Sequence, residues 1–322
     1  MATVHSMRTA LVTGGAGFVA QHVIPMMMVR GWAVRAAVRT ASDFVPPGAD
    51  AEILGDLLDV DWDSRLRGVS AIVHLAARAH RMGESGPEAE VRYRRDNVDV
   101  AVVLARAAAR ANISRFIFVS SVKAMGESTP IDSPWNEQSP CVPVDAYGRT
   151  KLAAERGLLD DSARSGLPVV ILRPPLLYGP RVKANMQRLL AWIDRGLPLP
   201  LASVRNSRSL LYVGNLADAI CTCLEHPKAV GQTFLLSDGE DLSTPELIRR
   251  LAQARGRSAV LLPMPPQSLL WFARLVGRSS EAERLMGSLR IDGTQMRSLL
   301  GWMPPFTVDA GLLETARGFR PS

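Results

Sequence analysis

Residues 10–23 read ALVTGGAGFVAQHV, an apolar burst of strand length that runs into a glycine cluster and then into a segment of helical character. Gly14, Gly15 and Gly17 permit a tight turn and let backbone N–H groups approach a pyrophosphate at a helix N-terminus, where the helix dipole favours negative charge. Ala20 stands where a third small residue lets helix and strand pack closely. A glycine cluster alone is a weak signal; the strand before it and the helix after it supply the context that makes it informative.

Outward from that turn, apolar bursts of strand length recur at 9–14, 33–38, 51–54, 71–76, 116–121 and 169–174, with long helix-like stretches between several of them, notably 88–111. Strands buried on both faces and separated by helices predict βαβ crossovers and therefore an α/β fold, a doubly wound parallel sheet of the Rossmann type. After Pro174 the regularity falters: RPPLLYGPRVKAN, RGLPLPLASVRNSRS and LLPMPPQS concentrate proline and glycine. TFLLSD at 233–238 reads as one further sheet strand. The expected division is a dinucleotide-binding domain of 1–175 plus about 211–238, capped by a smaller C-terminal α/β substrate-binding domain of about 176–210 plus 239–322.

The chain has 322 residues, 47% hydrophobic and 21% charged, an ordinary globular composition that argues against disorder. No apolar run approaches the roughly 18–20 residues of a membrane span, and MATVHSM lacks the basic start and apolar centre of a secretory signal, which together point to the cytoplasm. Cys141, Cys221 and Cys223 form no metal-ligand spacing and read as reduced thiols, so no metal is expected. The net charge of +7 comes from scattered arginines with no basic run longer than two. It suits a polyanionic small molecule as well as nucleic acid and decides neither. Segment 266–277, PQSLLWFARLVG, is amphipathic and reads as a core or pocket-lining helix rather than a membrane-surface one.

The end of the second strand bears on the cofactor. A carboxylate there would hydrogen-bond an adenosine ribose and favour NAD. The chain reads RAAVRTASD, and Arg39 suits the extra phosphate of NADP, with Asp43 leaving NAD as the alternative. Asp56, after the third strand, either accepts from an adenine amino group or caps a helix.

FIFVSSVKAMGE closes a strand with two serines at the sheet edge where ligands of such folds bind. Farther on, DAYGRTK at 145–151 places Tyr147 and Lys151 one helical turn apart on one face. A free phenol has a pKa near 10; a neighbouring ammonium and the positive nicotinamide ring of an oxidised cofactor both favour the phenolate, so Lys151 and the cofactor are expected to lower the Tyr147 pKa toward the working range. A strand-end serine can hold a substrate oxygen while charge develops there.

TGGAGFV, HLAA, FVSSVKAMG, YGRTK and RPPLLYGP together resemble the extended short-chain dehydrogenase/reductase (NAD-dependent epimerase/dehydratase) family, in its nucleotide-sugar branch, along essentially the whole chain. The resemblance implies Ser121 as the substrate-orienting hydroxyl, Tyr147 as general acid/base and Lys151 as its partner. It implies cofactor contacts from Gly14, Gly15, Gly17, Phe18, Val19, Arg39, Asp56, Leu57, Ala76, Ala77, Tyr147, Lys151 and Pro174, with Asn97 bracing the site. Asn185 and Arg208 would grip the diphosphate of a UDP-sugar, Arg205 being close enough to share that role, and a homodimer built on 88–111 and 145–165 would be expected. The segments SSVKAMGE, VKANMQRLL and LPLPLASVRNSRSLLYV look most like reductases of UDP-4-keto-6-deoxy-hexosamines that serve bacterial surface polysaccharide, using NADPH. The alternative is a UDP-hexose or UDP-N-acetylhexosamine 4-epimerase with bound NAD; Arg39, and Met125 where many epimerases carry tyrosine, weigh against it. A dehydratase lacks its acids here, since Val122 and Lys123 follow Ser121. A non-catalytic dinucleotide sensor is the reading of another class, opposed by retention of both Tyr147 and Lys151.

Overall fold

The apolar bursts become strands close to their expected limits. The computed structural model describes residues 8–78, 86–183, 185–275 and 279–320. Strands β1 (Thr9–Thr13), β2 (Ala33–Val38), β3 (Asp50–Ile53), β4 (Ala71–His74), β5 (Arg115–Val119) and β6 (Val169–Arg173) are followed by β7 (Leu176–Tyr178), β8 (Arg208–Tyr212), β9 (Thr233–Leu235) and β10 (Asp241–Leu242). Among the described residues one sheet runs in the order β3-β2-β1-β4-β5-β6-β9 with every pairing parallel. Strand β1 lies between β2 and β4, so the chain changes direction across the sheet there, and that switch point opens a crevice at the carboxyl ends of the strands.

The helices are α1 (Ala20–Val29), α2 (Trp62–Arg65), α3 (Pro87–Arg94), α4 (Val100–Arg110), α5 (Ala146–Ser165), α6 (Asn185–Asp194), α7 (Val213–Glu225), α8 (Thr244–Ala254), α9 (Pro266–Leu275), α10 (Ser279–Met286), α11 (Thr294–Leu300) and α12 (Val308–Arg317). Alternation along the strands divides the core between two faces. Val12, Ile117 and Leu172 pack against Val23 and Met27 of α1 and Leu216 and Ile220 of α7. Leu11, Ile72, Phe116 and Phe118 pack against Leu104 of α4 and Ala154 and Leu158 of α5. Phe116 and Phe118 are fully buried, worth roughly 1.5–3 kcal/mol each. Among the described residues no helix is long and apolar enough to cross a membrane.

Three features differ from expectation. The predicted helix over 88–111 is interrupted by a π-helical turn, Arg95–Asp99, between α3 and α4. The irregular region after Pro174 contains a second sheet, β10-β8-β7, in which β7 and β10 are too short for a periodicity to be read. It backs a third apolar cluster that includes Tyr178, Leu190, Leu210, Ile248 and Leu312. Helix α9 is not a core helix: Leu269 packs against that cluster, but Trp271, Phe272 and Leu275 are exposed. Residues 276 and 277 of that segment lie outside the described residues.

Candidate active site

The glycine turn sits at the switch point. Gly14 has φ +69°, a conformation that favours glycine, and a Cβ there would meet the Ala76 backbone N at 3.0 Å. The turn and the loop after β4 therefore touch, and Ala76 N–H donates to Thr13 Oγ1 at 3.2 Å. Gly15 N–H donates to Ala37 O at 2.9 Å and Gly17 N–H to Gly14 O at 2.8 Å. Val19, at the N-cap of α1, offers no side-chain cap; Gln21 N–H donates to Gly17 O at 3.2 Å and His22 N–H to Val19 O at 3.0 Å, so the glycine turn runs directly into the helix N-terminus, whose dipole favours an anion. Phe18 leans from this turn onto the third apolar cluster.

The ribose end is more local than the sequence suggests. The Asp43 carboxylate accepts from the backbone N–H groups of Arg39 and Thr40, both at 2.9 Å, which fixes the turn after β2 and leaves Arg39 exposed. Asp56 caps no helix: it accepts from Leu58 N–H at 3.1 Å and pairs with Arg95 at 2.5 Å, and the Arg95 hydrogen bond is what chiefly holds its carboxyl below the usual range. Leu57 O accepts from Trp62 Nε1 at 3.2 Å, and Ala77 is exposed in the loop after β4.

The chemical end is built by three close approaches. Ser121 caps the short 3-10 turn Val122–Ala124 through Lys123 N–H at 3.2 Å, and Val122 N–H donates to Pro174 O at 2.9 Å, tying the turn to the end of β6. Asp145 caps α5 through Gly148 N–H at 2.7 Å. A Cβ on Gly148 would lie 2.3 Å from Lys123 O, so only glycine lets α5 approach this closely. That contact brings the Ser121 hydroxyl toward the Tyr147 phenol, near enough that Ser121 favours the phenolate.

Asn97 lies in the π turn, a geometry common at functional sites, and is 1% exposed. Its Oδ1 accepts from Arg78 N–H at 2.7 Å, and its Nδ2 donates to Thr150 Oγ1 at 3.0 Å and Arg78 O at 3.2 Å. Thr150 in turn donates to Tyr147 O at 2.9 Å, so Asn97 braces the turn of α5 that carries the phenol.

The expected effect of Lys151 on Tyr147 is corrected by the structure. Lys151 is 2% exposed; its Nζ donates to Val119 O at 2.7 Å and lies 4.4 Å over the Phe118 ring. Burial lowers its pKa to about 7, with Glu155 opposing. Tyr147 is half-buried, and burial pushes its pKa up to about 12 against the lowering influence of Ser121. Desolvation outweighs the neighbouring amine, because that amine is turned toward the sheet.

Sequence reasoning missed a buried network beneath this pair. Glu155 accepts the Ser120 hydroxyl and a fork of bonds from Arg173, at 2.5 Å for the Nη2–Oε2 contact. Its signal was spacing, since it lies one turn beyond Lys151 on the same face. His74, fully buried, hydrogen-bonds Thr13 Oγ1 through Nδ1 at 2.8 Å and stacks on Phe118, while its Nε2 has no partner among the described residues. Burial lowers its pKa to about 3.

The substrate-side candidates divide. Arg208 Nη1 donates to Arg284 O at 2.6 Å and Gly287 O at 2.8 Å, while its Nε and Nη2 make no hydrogen bond among the described residues. That is an anchored fork with donors to spare for an anion. Asn185 is not brought to it: exposed at the start of α6, it accepts from Arg188 of its own helix. Arg205 is likewise exposed.

Sheet order, crossovers and the glycine turn at the switch point define a Rossmann-type α/β protein. The chain belongs to the NAD dependent epimerase/dehydratase family, whose model matches residues 10–236. It is 38% identical over 318 residues to a UDP-glucose 4-epimerase of Vibrio cholerae, covering 97% of this chain and 95% of that one. Its fold superposes on UDP-N-acetylglucosamine 4-epimerase from Bacillus cereus with a TM-score of 0.78 at 25% identity, covering 96% of each chain. It also superposes on UDP-glucuronic acid 4-epimerase from Bacillus cereus in complex with NAD, with a TM-score of 0.78 at 21% identity, covering 97% of this chain and 96% of that one; at that identity the likeness is one of fold.

Proposed function

We propose that the protein is a UDP-sugar 4-epimerase that works with NAD. The observation that carries this reading is the approach of Ser121 and Tyr147 at the carboxyl edge of the sheet that also holds the glycine turn, in a chain whose Vibrio cholerae relative is a UDP-glucose 4-epimerase. The comparisons favour epimerisation over reduction of a 4-keto-6-deoxy sugar, the reading the sequence alone preferred. Exposed Arg39 is the feature that keeps an NADPH-dependent reductase as the second reading.

The Gly14–Gly17 turn at the N-terminus of α1 fits a pyrophosphate, with Ala76 in contact with that turn. NAD, when bound, supplies the hydride acceptor and donor for carbon 4 and a positive ring that favours the phenolate. Ser121 holds the carbon 4 oxygen and stabilises charge on it. Tyr147 removes the hydroxyl proton and returns it after the sugar has presented its other face. Arg208 holds the diphosphate, its fork matching two phosphate oxygens. The smaller domain, about 176–210 plus 239–322, forms the sugar pocket, and two copies pair through α4 and α5.

Tyr147→Phe tests the acid/base role. Turnover of UDP-glucose or UDP-N-acetylglucosamine should fall by about 10²–10⁴-fold while UDP binding persists; parental turnover would remove the assignment. Interconversion of carbon 4 epimers without added cofactor supports the epimerase. Stoichiometric NADPH consumption by a UDP-4-keto-6-deoxy sugar, with no epimerisation, replaces it with the reductase.

A further inference from the structure

Lys123 and Glu127 follow Ser121 in the chain, yet the chemistry above uses neither. Lys123 Nζ donates to Glu127 Oε2 at 2.6 Å and to Asp145 Oδ2 at 2.9 Å. Both pairs are shielded, with side-chain exposures of 23% for Lys123, 29% for Glu127 and 20% for Asp145. Glu127 Oε1 also receives Arg284 Nε of α10 at 2.8 Å. Arg284 supplies, through its carbonyl, one of the two acceptors that anchor Arg208. At the other end, Asp145 is the cap of the helix that carries Tyr147, and its Oδ1 holds Gly148 N–H.

A chain of hydrogen bonds and ion pairs therefore runs from the arginine fork toward the phenol: Arg208 to the Arg284 carbonyl, then Arg284, Glu127, Lys123, Asp145 and the first turn of α5, with a longer direct contact of 4.0 Å from Arg284 Nη2 to Asp145 Oδ2. We propose that Lys123 and Glu127 are positioning residues that couple the seating of a nucleoside diphosphate at Arg208 to the placement of Tyr147 against Ser121. This deepens the nucleotide-sugar reading and rests on it. The coupling works in both directions, as linkage requires. A diphosphate that fixes Arg208 fixes the carbonyls of the α10 terminus, hence the Arg284 guanidinium, hence Glu127 and the lysine that steadies the α5 cap. The segment after Ser121 cannot drift independently of α5, because Gly148 leaves no space against Lys123 O.

Charge alone and positioning predict opposite signs, which makes Glu127→Gln decisive. Removing a carboxylate near a bound diphosphate should tighten UDP if the only effect is through-space repulsion. Loss of the bridge should weaken UDP by about 5-fold or more and lower kcat on the UDP-sugar as well. The measurement is calorimetric titration of the full-length chain with UDP, together with steady-state epimerisation. Glu127→Asp should recover part of both losses. Arg284→Met removes both the contact to Glu127 and the longer one to Asp145, so the double variant Glu127→Gln/Arg284→Met should be no worse than Arg284→Met alone. UDP affinity unchanged or raised in Glu127→Gln, or additive losses in the double variant, would overturn the coupling. A wild-type chain that binds no UDP would instead remove the nucleotide-sugar reading itself, so the two failures are distinguishable.

Discussion

Gly148→Ala sets two effects of opposite sign against each other. Gly148 lies in the first turn of α5 with no unusual φ, so helix propensity alone predicts that alanine stabilises the protein, by up to about 1 kcal/mol. The added Cβ would stand 2.3 Å from Lys123 O, 3.1 Å from Lys123 C and 3.1 Å from Pro143 Cβ. An ordinary close C···O approach is about 3.3 Å, so α5 and the turn after Ser121 must separate by roughly 1 Å. Neither side gives easily: the carbonyl is backbone, and its turn is tied to Pro174 O through Val122 N–H at 2.9 Å. Overpacking of this kind costs about 1–3 kcal/mol, which outweighs the propensity gain. The catalytic loss should be larger, since the displacement falls directly between Ser121 and Tyr147, and a 1 Å misplacement is worth about 10²-fold in rate. Thermal melts and kcat on a UDP-sugar, measured on the same preparation, check both. A variant that melts higher than the parent and keeps its kcat would refute the close-packing account of this site.

His74 gives a pH signature. Its folded pKa of about 3 lies below the unfolded 6.5, so its contribution to stability is complete above pH 6.5 and is lost as pH falls toward 3, at about 1.4 kcal/mol per unit. The wild type should therefore lose about 2 kcal/mol more than His74→Gln between pH 7 and pH 5 in urea denaturation; equal losses would mean that His74 takes up no proton on unfolding. Arg208→Met should weaken UDP by about 10–150-fold, the worth of a charge-assisted hydrogen bond, with Arg208→Lys intermediate because it keeps charge without the fork. Calorimetric titration with UDP measures this, and an unchanged affinity for Arg208→Met would dismiss Arg208 as the diphosphate ligand.

Legibility followed the physics that sequence encodes locally. The parallel sheet could be read because strands buried on both faces, such as FIFV and VVIL, are apolar without interruption, and because the glycine turn falls between strand and helix. Ser121 and Tyr147 could be paired because both lie at carboxyl ends or just after them, where crossovers must deliver ligands. The π turn that aims Asn97 could not be read, since one extra residue in a helical register leaves no compositional trace. Strands β7 and β10 span three and two residues, too few for a period to show. The amphipathy of α9 was legible, but how its apolar residues would be covered was not: Leu269 packs on the third cluster, whereas Trp271, Phe272 and Leu275 stay exposed. The direction of Lys151 was the costliest omission: spacing placed it on the same helical face as Tyr147, but only the position of Val119 O decides where its ammonium points.

That orientation carries a consequence for how the site handles charge. Burial moves Tyr147 up and Lys151 down, so the cleft disfavours charge on either group. An enclosed, weakly polarisable cleft strengthens whatever charge a reaction creates in it. An alkoxide forming at a sugar carbon would meet two neutral hydroxyl donors, Ser121 and Tyr147, with little water to compete. The nearby carboxylate of Glu155 would oppose that alkoxide if it were bare. It is held instead by Arg173 and Ser120, with Glu155 2% and Arg173 7% exposed, which confines its negative charge to the sheet side of α5. In the proposed epimerase, the Glu155–Arg173 pair would keep an acid one turn from Lys151 from repelling a developing oxyanion, a role that a buried ion pair can fill even where its net contribution to stability is small.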